Sequence, residues 1–182
     1  MNKYSKNLRK NDNLPDVFGG LTNINSAIER SVNTIAVKVL EDVGLQNAFE
    51  FCRDKLGMKS LLELVELSNG QILSDIAPAP LALGQFTYGV TVREITAAYT
   101  AFANDGVFNS AHSYLKVTTA DGEVLLSNED PGNIVFSEEN AAIMTKMLSN
   151  VVNNGTAKAL TLRKTVDCAG KTGTTSNNND RW

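Results

Sequence analysis

The sequence is poor in the residues that advertise a metal centre or a redox pair. Its 182 residues hold two cysteines (Cys52 and Cys168), one histidine (His112) and one tryptophan (Trp182). A zinc site needs Cys and His at ligand spacing, and a disulfide framework needs many cysteines in a short chain. Neither pattern is here, so two buried free thiols are the expectation. Excess positive charge is also missing. Seventeen Lys and Arg face twenty Asp and Glu, for a net charge of -3 and a pI near 5.2, which argues against nucleic acid as the main partner. No apolar run is long enough to span a membrane. The basic start, residues 1–10, is not followed by the apolar core of a secretory signal. Internal repeats are absent, and low complexity is confined to the asparagine-rich residues 176–180. What remains is an ordinary globular composition, 42% hydrophobic and 20% charged, in a length that suits one domain with a real core.

Polar and turn-forming residues dominate positions 1–20 and read as a lead-in loop. Thr22 suits the cap of a helix carrying Ile24, Ala27 and Ile28. The pattern pauses at Ser31-Val32-Asn33 and resumes from Thr34 with a stripe of Ile35, Val39, Leu40 and Val43, which Gly44 stops. Residues 45–56 read as a further amphipathic helix facing inward through Leu45, Ala48, Phe49, Cys52 and Leu56. From 57 to 80 the periodicity fades, and Pro78 and Pro80 imply a meandering connection. A strong helix starts after Val90-Thr91, with Val92, Ile95, Tyr99 and Phe102 on one face, and ends at Asn104-Asp105-Gly106. Residues 107–126 read as a hairpin turning at Asp121-Gly122. Ser137 begins the last long helix, with Glu138 and Glu139 placed where the macrodipole favours anions. Its stripe is Ile143, Met144, Met147, Leu148, Val151 and Val152, and Asn154-Gly155 closes it. A short helical turn near 156–162 follows.

The chemistry gathers at the far end, in Cys168-Ala169-Gly170-Lys171-Thr172-Gly173-Thr174-Thr175. The alternation of Val166, Asp167 and Cys168 reads as the start of a strand. Beyond it stand a cation, three hydroxyls and two glycines, with no large apolar side chain to bury. Gly173 lets another backbone approach closely. Lys171 with Thr172 and Thr174 offers the donors that hold a carboxylate. The tripeptide Lys-Thr-Gly alone decides little, because roughly one chain in twenty of this length carries it by chance. A phosphate-binding loop, G-x-x-x-x-G-K-[ST], also ends in Gly-Lys-Thr, but it needs glycine where Thr165 stands and a helix directly afterwards.

Ser31 and Asn33 form a second constellation, at a break between helices where a side chain points into a cleft more readily than into a core. Taken alone, Asn33 is an ordinary N-cap for a helix beginning at Thr34, and Ser-x-Asn recurs at Ser5 and Ser176. Together with Lys171-Thr172-Gly173, however, Ser-x-Asn supplies two of three signature elements of penicillin-binding proteins and serine β-lactamases. The flanking residues agree: Arg30 to Thr34, Leu81 to Gln85 running on to Gly89-Val90-Thr91, Ala97-Ala98-Tyr99 with Phe102-Ala103-Asn104, and Gly170 to Thr175 with Asp180 and Trp182. From about Leu14 to Trp182 the chain resembles the transpeptidase domain of class A, bifunctional penicillin-binding proteins. A serine β-lactamase usually has aspartate where Val32 stands.

That resemblance implies an α+β fold, mostly helical here, with an incomplete antiparallel sheet, over one partial domain at 21–182. It implies a peptidoglycan D,D-transpeptidase: a serine is acylated by the penultimate D-alanine of a stem peptide, the terminal D-alanine leaves, and the acyl group passes to an amine of a neighbouring stem. Ser31, Asn33 and Lys171 would be catalytic. Ser31 would relay a proton between the nucleophile's lysine and the leaving amine. Asn33 would hold that lysine and bind the substrate amide, while Lys171 would polarise Ser31 and attract the incoming carboxylate. Thr172, Gly173, Thr174 and Thr175 would bind substrate, Thr172 and Thr174 through the carboxylate. The Thr174 backbone N–H would form half of the oxyanion hole. The implied partners are D-Ala-D-Ala stem peptides and β-lactams, with no cofactor, no metal and no nucleic acid. The implied location is the extracytoplasmic face of the bacterial cell membrane, where the full-length protein is anchored.

The third element, Ser-x-x-Lys, is missing upstream of Ser31. The one literal match, Ser113-Tyr114-Leu115-Lys116, falls in an expected strand, whose alternation puts residues i and i+3 on opposite faces. The expectation is therefore a transpeptidase fragment without its nucleophile, and inactive alone. A non-catalytic D-Ala-D-Ala- or penicillin-binding remnant or scaffold module is the alternative, with a serine β-lactamase behind it. The Lys171 strand, the single central strand expected, would lack both neighbours and leave its edges unpaired. Marginal stability or poor solubility follows. Thermal unfolding watched by circular dichroism should be broad and low, and a sharp cooperative melt of a soluble monomer would contradict this.

Overall fold

The computed structural model describes residues 20–129 and 131–174. Thr175, Asp180, Trp182 and all but the last residue of the expected 1–20 lead-in lie outside the described residues. The first helix, α1 (Ile24–Glu29), is capped by Asn23, whose side chain accepts the Ser26 N–H at 2.8 Å. The cap is thus one residue past Thr22. The second, α2 (Asn33–Val43), begins at Asn33 itself, with Val32 in the cap position and no side-chain cap. Asn33 is therefore not the N-cap of a helix starting at Thr34. Gly44 ends α2 and leads directly into α3 (Leu45–Glu50), which widens into a π-helical turn at Phe51–Lys55. There the Arg53 guanidinium lies 4.8 Å from the Phe49 ring centroid.

The expected meander at 57–80 contains more order than its prolines imply. Strands β1 (Val65–Glu66) and β2 (Ile72–Leu73) pair antiparallel. Pro78 and Pro80 then sit in the first turn of α4 (Pro78–Leu83). A first-turn residue has no intrahelical partner for its N–H, so proline costs nothing there and its fixed φ helps. Thr91 caps α5 (Val92–Ala103) in a capping box with Glu94. The expected hairpin forms as β4 (Lys116–Thr118) against β5 (Val124–Ser127). Residues 107–108 do not join it, because β3 (Val107–Phe108) pairs instead with β6 (Asn133–Ile134). Ser137 caps α6 (Glu138–Asn153), and a 3-10 turn at Thr161–Lys164 replaces the helical turn expected near 156–162. None of the described helices is long and apolar enough to cross a membrane.

Among the described residues the strands pair antiparallel, in three separate two-stranded ribbons. The expected central strand around Lys171 is not among them. Residues 167–173 carry no regular structure, and only Thr174 forms an isolated bridge. A strand exists only where a neighbour takes up its backbone groups. Here the Gly170 N–H goes to the Leu148 carbonyl of α6 at 3.3 Å instead.

The core lies where α3 and α5 meet the loop between them. Phe49, Met58, Leu61 and Ala98 are buried, and Cys52, Leu56, Ile76, Phe86 and Ile95 pack around them. Ala97, Ala101 and Phe108 continue this core toward Phe136, which stacks on Phe102 with ring centroids 5.0 Å apart. The helical stripes predict this burial only in part. Leu40 is buried but Val39 and Val43 are open; α5 buries Ala97, Ala98 and Ala101 and exposes Val92 and Tyr99; α6 buries Leu148, Val151 and Val152 but exposes Ile143. Periodicity marks the apolar side of a helix, not how much of that side a neighbour covers. Both β4 and β5 are exposed along their length. The two thiols are half-buried rather than buried, and burial pushes that of Cys52 up.

Two carboxylates tie the loops to this core. Asp75 is fully buried and accepts the Leu62 N–H at 2.8 Å, and the N–H and hydroxyl of Thr87 at 2.7 and 2.8 Å. Its two oxygens thus meet three donors, which is what a buried polar group requires. Glu94 accepts the Ser60 N–H and hydroxyl at 2.9 and 2.6 Å, and the Thr91 N–H and hydroxyl at 2.9 Å each. Partial burial pushes the Glu94 carboxyl up, but these bonds from Ser60 and Thr91 outweigh it and hold it down at about 2. A carboxylate whose folded pKa lies below its unfolded value stabilises the fold above the unfolded pKa, and that stability fades as pH falls toward the folded one. Chemical denaturation between about pH 5 and pH 2 should therefore show stability draining away in the wild type. Glu94→Gln should flatten that part of the profile; an unchanged slope would show that Glu94 is not linked to folding.

Candidate active site

The site is built where α1 ends. The Ser31 N–H donates to the Ile28 carbonyl at 3.1 Å, and the Val32 N–H donates to the Ala27 carbonyl at 2.9 Å. These two bonds are the Schellman closure, in which the residue just past the helix turns left-handed. That residue is Ser31, at φ 57°. Glycine is usual at this position because a Cβ is crowded there. A serine kept in a glycine position is local strain that the surroundings must hold, and such strain collects at functional sites.

The surroundings come from the other end of the chain. The Lys171 Nζ donates to Ser31 Oγ at 2.7 Å and to the Thr172 carbonyl at 3.0 Å. An ammonium has three N–H donors, and the third has no partner among the described residues. Burial pushes the Lys171 pKa down. A half-buried cation on the serine oxygen lowers the cost of negative charge there, and its third donor is available to a further acceptor.

Helix α6 carries this far segment to α1. Its apolar side packs along α1, and the Asn150 side chain donates to that of Asn25 at 2.9 Å. At its end, Gly155 presses against the Glu29 backbone so closely that a Cβ would overlap the Glu29 carbonyl oxygen. The Thr156 N–H then donates to that same carbonyl at 3.2 Å. The Thr156 hydroxyl meets the Thr172 hydroxyl at 2.7 Å.

Of the residues singled out in the sequence, Ser31 and Lys171 are brought into direct contact. Asn33 opens α2 two positions further on, half-buried, with no hydrogen bond from its side chain to another described residue. Thr172 is half-buried beside Lys171, while Gly173 and Thr174 are exposed. Thr175 lies outside the described residues. Ser113 and Lys116 make no site together: the Lys116 amine points to Glu129 at 3.9 Å. Thr156 went unrecognised in the sequence. Its one signal there is the glycine before it, which reads equally well as a helix stop.

The chain is thus an α+β domain that brings Lys171 onto a strained serine at a helix end. Residues 2–181 match the family model described as the penicillin binding protein transpeptidase domain. The chain belongs to that family. It is 32% identical over 163 residues to penicillin-binding protein 4 of Bacillus subtilis, covering 90% of this chain and 24% of that protein. It is 30% identical over 181 residues to penicillin-binding protein 1A of Clostridium botulinum, covering 99% of this chain and 21% of that protein. The chain thus spans between a fifth and a quarter of the length of these relatives. Among solved structures, a D,D-transpeptidase domain from Eggerthella lenta superposes with a TM-score of 0.60 at 23% identity, covering 88% of this chain and 43% of that one. Penicillin-binding protein 1A of Haemophilus influenzae gives 0.61 at 18% identity, covering 85% of this chain and 27% of that one. These two support the fold.

The left-handed Ser31 makes a direct test. Ser31→Ala and Ser31→Gly both remove the hydroxyl bonded to Lys171, but only glycine relieves the crowding. Ser31→Gly should be the more stable by about 1 kcal/mol in chemical denaturation. Equal stabilities would mean that the helix end is not strained in solution.

Proposed function

We propose that this chain supplies the proton-relay and carboxylate-recognition part of a peptidoglycan D,D-transpeptidase. The observation that carries the reading is the 2.7 Å bond from Lys171 to Ser31, made between residues 140 positions apart. A serine at a glycine position, held by a desolvated lysine, is a costly arrangement for a merely structural turn and a useful one for moving a proton.

In the reaction, a serine hydroxyl attacks the carbonyl carbon of the penultimate D-alanine. The peptide C–N bond breaks, and the terminal D-alanine leaves as an amine carrying a proton. An amine of a second stem peptide then attacks the acyl-serine, forms the cross-link and frees the serine. Ser31 carries the proton between the nucleophile's lysine and the leaving nitrogen, and Lys171 keeps the Ser31 oxygen polarised. Asn33 holds the nucleophile's lysine and the substrate amide. Lys171, Thr172 and Thr174 take the terminal carboxylate; Gly173 leaves room for the substrate backbone, with Thr175 beyond it; and the Thr174 N–H supports the oxyanion. β-Lactams enter as mimics of the same peptide end. The attacking serine is not among these 182 residues, so the chain alone recognises substrate without turning it over. The uncovered Val39, Val43 and Ile143 support the reading that it works as part of a larger domain; an anchor at the outer face of the membrane belongs to the same proposal through the family alone.

The test is a pair of ligands, N-acetyl-lysyl-D-Ala-D-Ala as the free acid and as the C-terminal carboxamide, titrated into the 182-residue chain by NMR. The acid should bind about tenfold more tightly, since charge-assisted hydrogen bonds exceed neutral ones. Lys171→Met should erase the difference. Equal binding of acid and amide by the wild type would sink the reading. A fluorescent penicillin should leave no covalent label on a denaturing gel, and a labelled serine would overturn the claim that the nucleophile is absent.

A further inference from the structure

The contact between Thr156 and Thr172 is not needed to join α6 to α1. That junction is already made by the Thr156 N–H on the Glu29 carbonyl, the close fit of Gly155 and the bond between Asn150 and Asn25. The hydroxyl is therefore surplus to packing. It lies at 2.7 Å from Thr172 Oγ1, and either oxygen is able to donate.

A hydroxyl has one proton and two lone pairs. Thr172 follows Lys171, whose ammonium lies on Ser31 and keeps one N–H unclaimed among the described residues. An arriving carboxylate only accepts hydrogen bonds, so it needs the Thr172 proton turned outward. Once that proton is given away, the Thr172 oxygen becomes a better acceptor, and the Thr156 hydroxyl is within reach to donate to it. Donation along such a chain strengthens each bond. No other hydrogen bond to a described residue ties the Thr156 hydroxyl, so its proton can serve this use.

We propose that Thr156 is a positioning residue: its hydroxyl fixes the Thr172 side chain and turns the Thr172 proton toward a carboxylate ligand. The assignment of that ligand rests on the transpeptidase reading above. The orientation of Thr172 does not.

Two readouts on the full 182-residue chain separate them. Without ligand, three-bond couplings to the Thr172 γ-methyl should report one side-chain rotamer in the wild type. They should average in Thr156→Val, which keeps the N–H to Glu29 and the side-chain shape, and return to one rotamer in Thr156→Ser. With ligand, Thr156→Val should weaken binding of N-acetyl-lysyl-D-Ala-D-Ala about fivefold, the loss of a fraction of one hydrogen bond. It should leave the carboxamide unaffected, and Thr156→Ser should restore the affinity. Thr172→Val combined with Thr156→Val should bind no worse than Thr172→Val alone, because the effect of Thr156 passes through Thr172. A Thr172 rotamer that ignores Thr156→Val, or an additive double variant, would overturn the proposal. If acid and amide bind alike in the wild type, the transpeptidase reading fails, and the couplings still decide whether Thr156 orients Thr172.

Discussion

A serine held at φ 57° at the end of a helix is the constraint on which the site depends. The left-handed turn is imposed by backbone bonds to Ile28 and Ala27, and the Cβ of Ser31 opposes it at a cost of about 1–2 kcal/mol. Glycine would make the turn without that cost, but glycine has no hydroxyl to offer Lys171. The chain accepts strain at one residue to put an oxygen where a backbone turn already exists. The loss is offset by contacts from a distant segment: Lys171 on the serine oxygen, and the end of α6 on the Glu29 carbonyl two residues before it.

That arrangement makes α6 more than a core helix. Its buried Leu148, Val151 and Val152 give it a fixed place beside α1, and the turn after Asn153 delivers Thr156 and the Lys171 segment to the site. Because packing positions are discrete in a close-packed interior, placing α6 also places the lysine. The polar ties elsewhere work in the same way. Asp75 and Glu94 reach across from one loop or helix to another and gather backbone donors that would otherwise be stranded. These carboxylates order the α3 and α5 half of the molecule, as the hydroxyls and Lys171 order the other half.

Much of the local structure was legible from single residues. Ser137 with two glutamates after it, Val90-Thr91 ahead of an apolar stripe, and Gly44 between two apolar runs each marked a helix boundary within a residue. The turn Asp121-Gly122 marked its hairpin. Elsewhere one signal carried two meanings. Pro78 and Pro80 were read as breakers, yet proline breaks a helix only beyond its first turn, and nothing local says where the first turn lies. Asn33 had the composition of a cap, but the Schellman closure at Ser31 moved the start of α2 back onto Asn33. The residues around Lys171 alternate as a strand does, but a strand needs a partner, and the described chain provides only one bridge at Thr174.

The sequence by itself determined the chemical groups and their family. Ser31-Val32-Asn33 and Lys171-Thr172-Gly173, read together with their flanking residues, are enough to place the chain in the transpeptidase family. It also determined which sides of the helices are apolar. Which apolar residues are covered came from the packing of elements, since Val39 and Leu40 are both apolar neighbours and just one is buried. The contact of Lys171 with Ser31 was implied by the family resemblance, but the position of Thr156 behind Thr172 comes from the folded chain alone. Those contacts are set by the seating of α6 on α1, a packing of two surfaces far apart in the chain, and no local pattern encodes the distance between them.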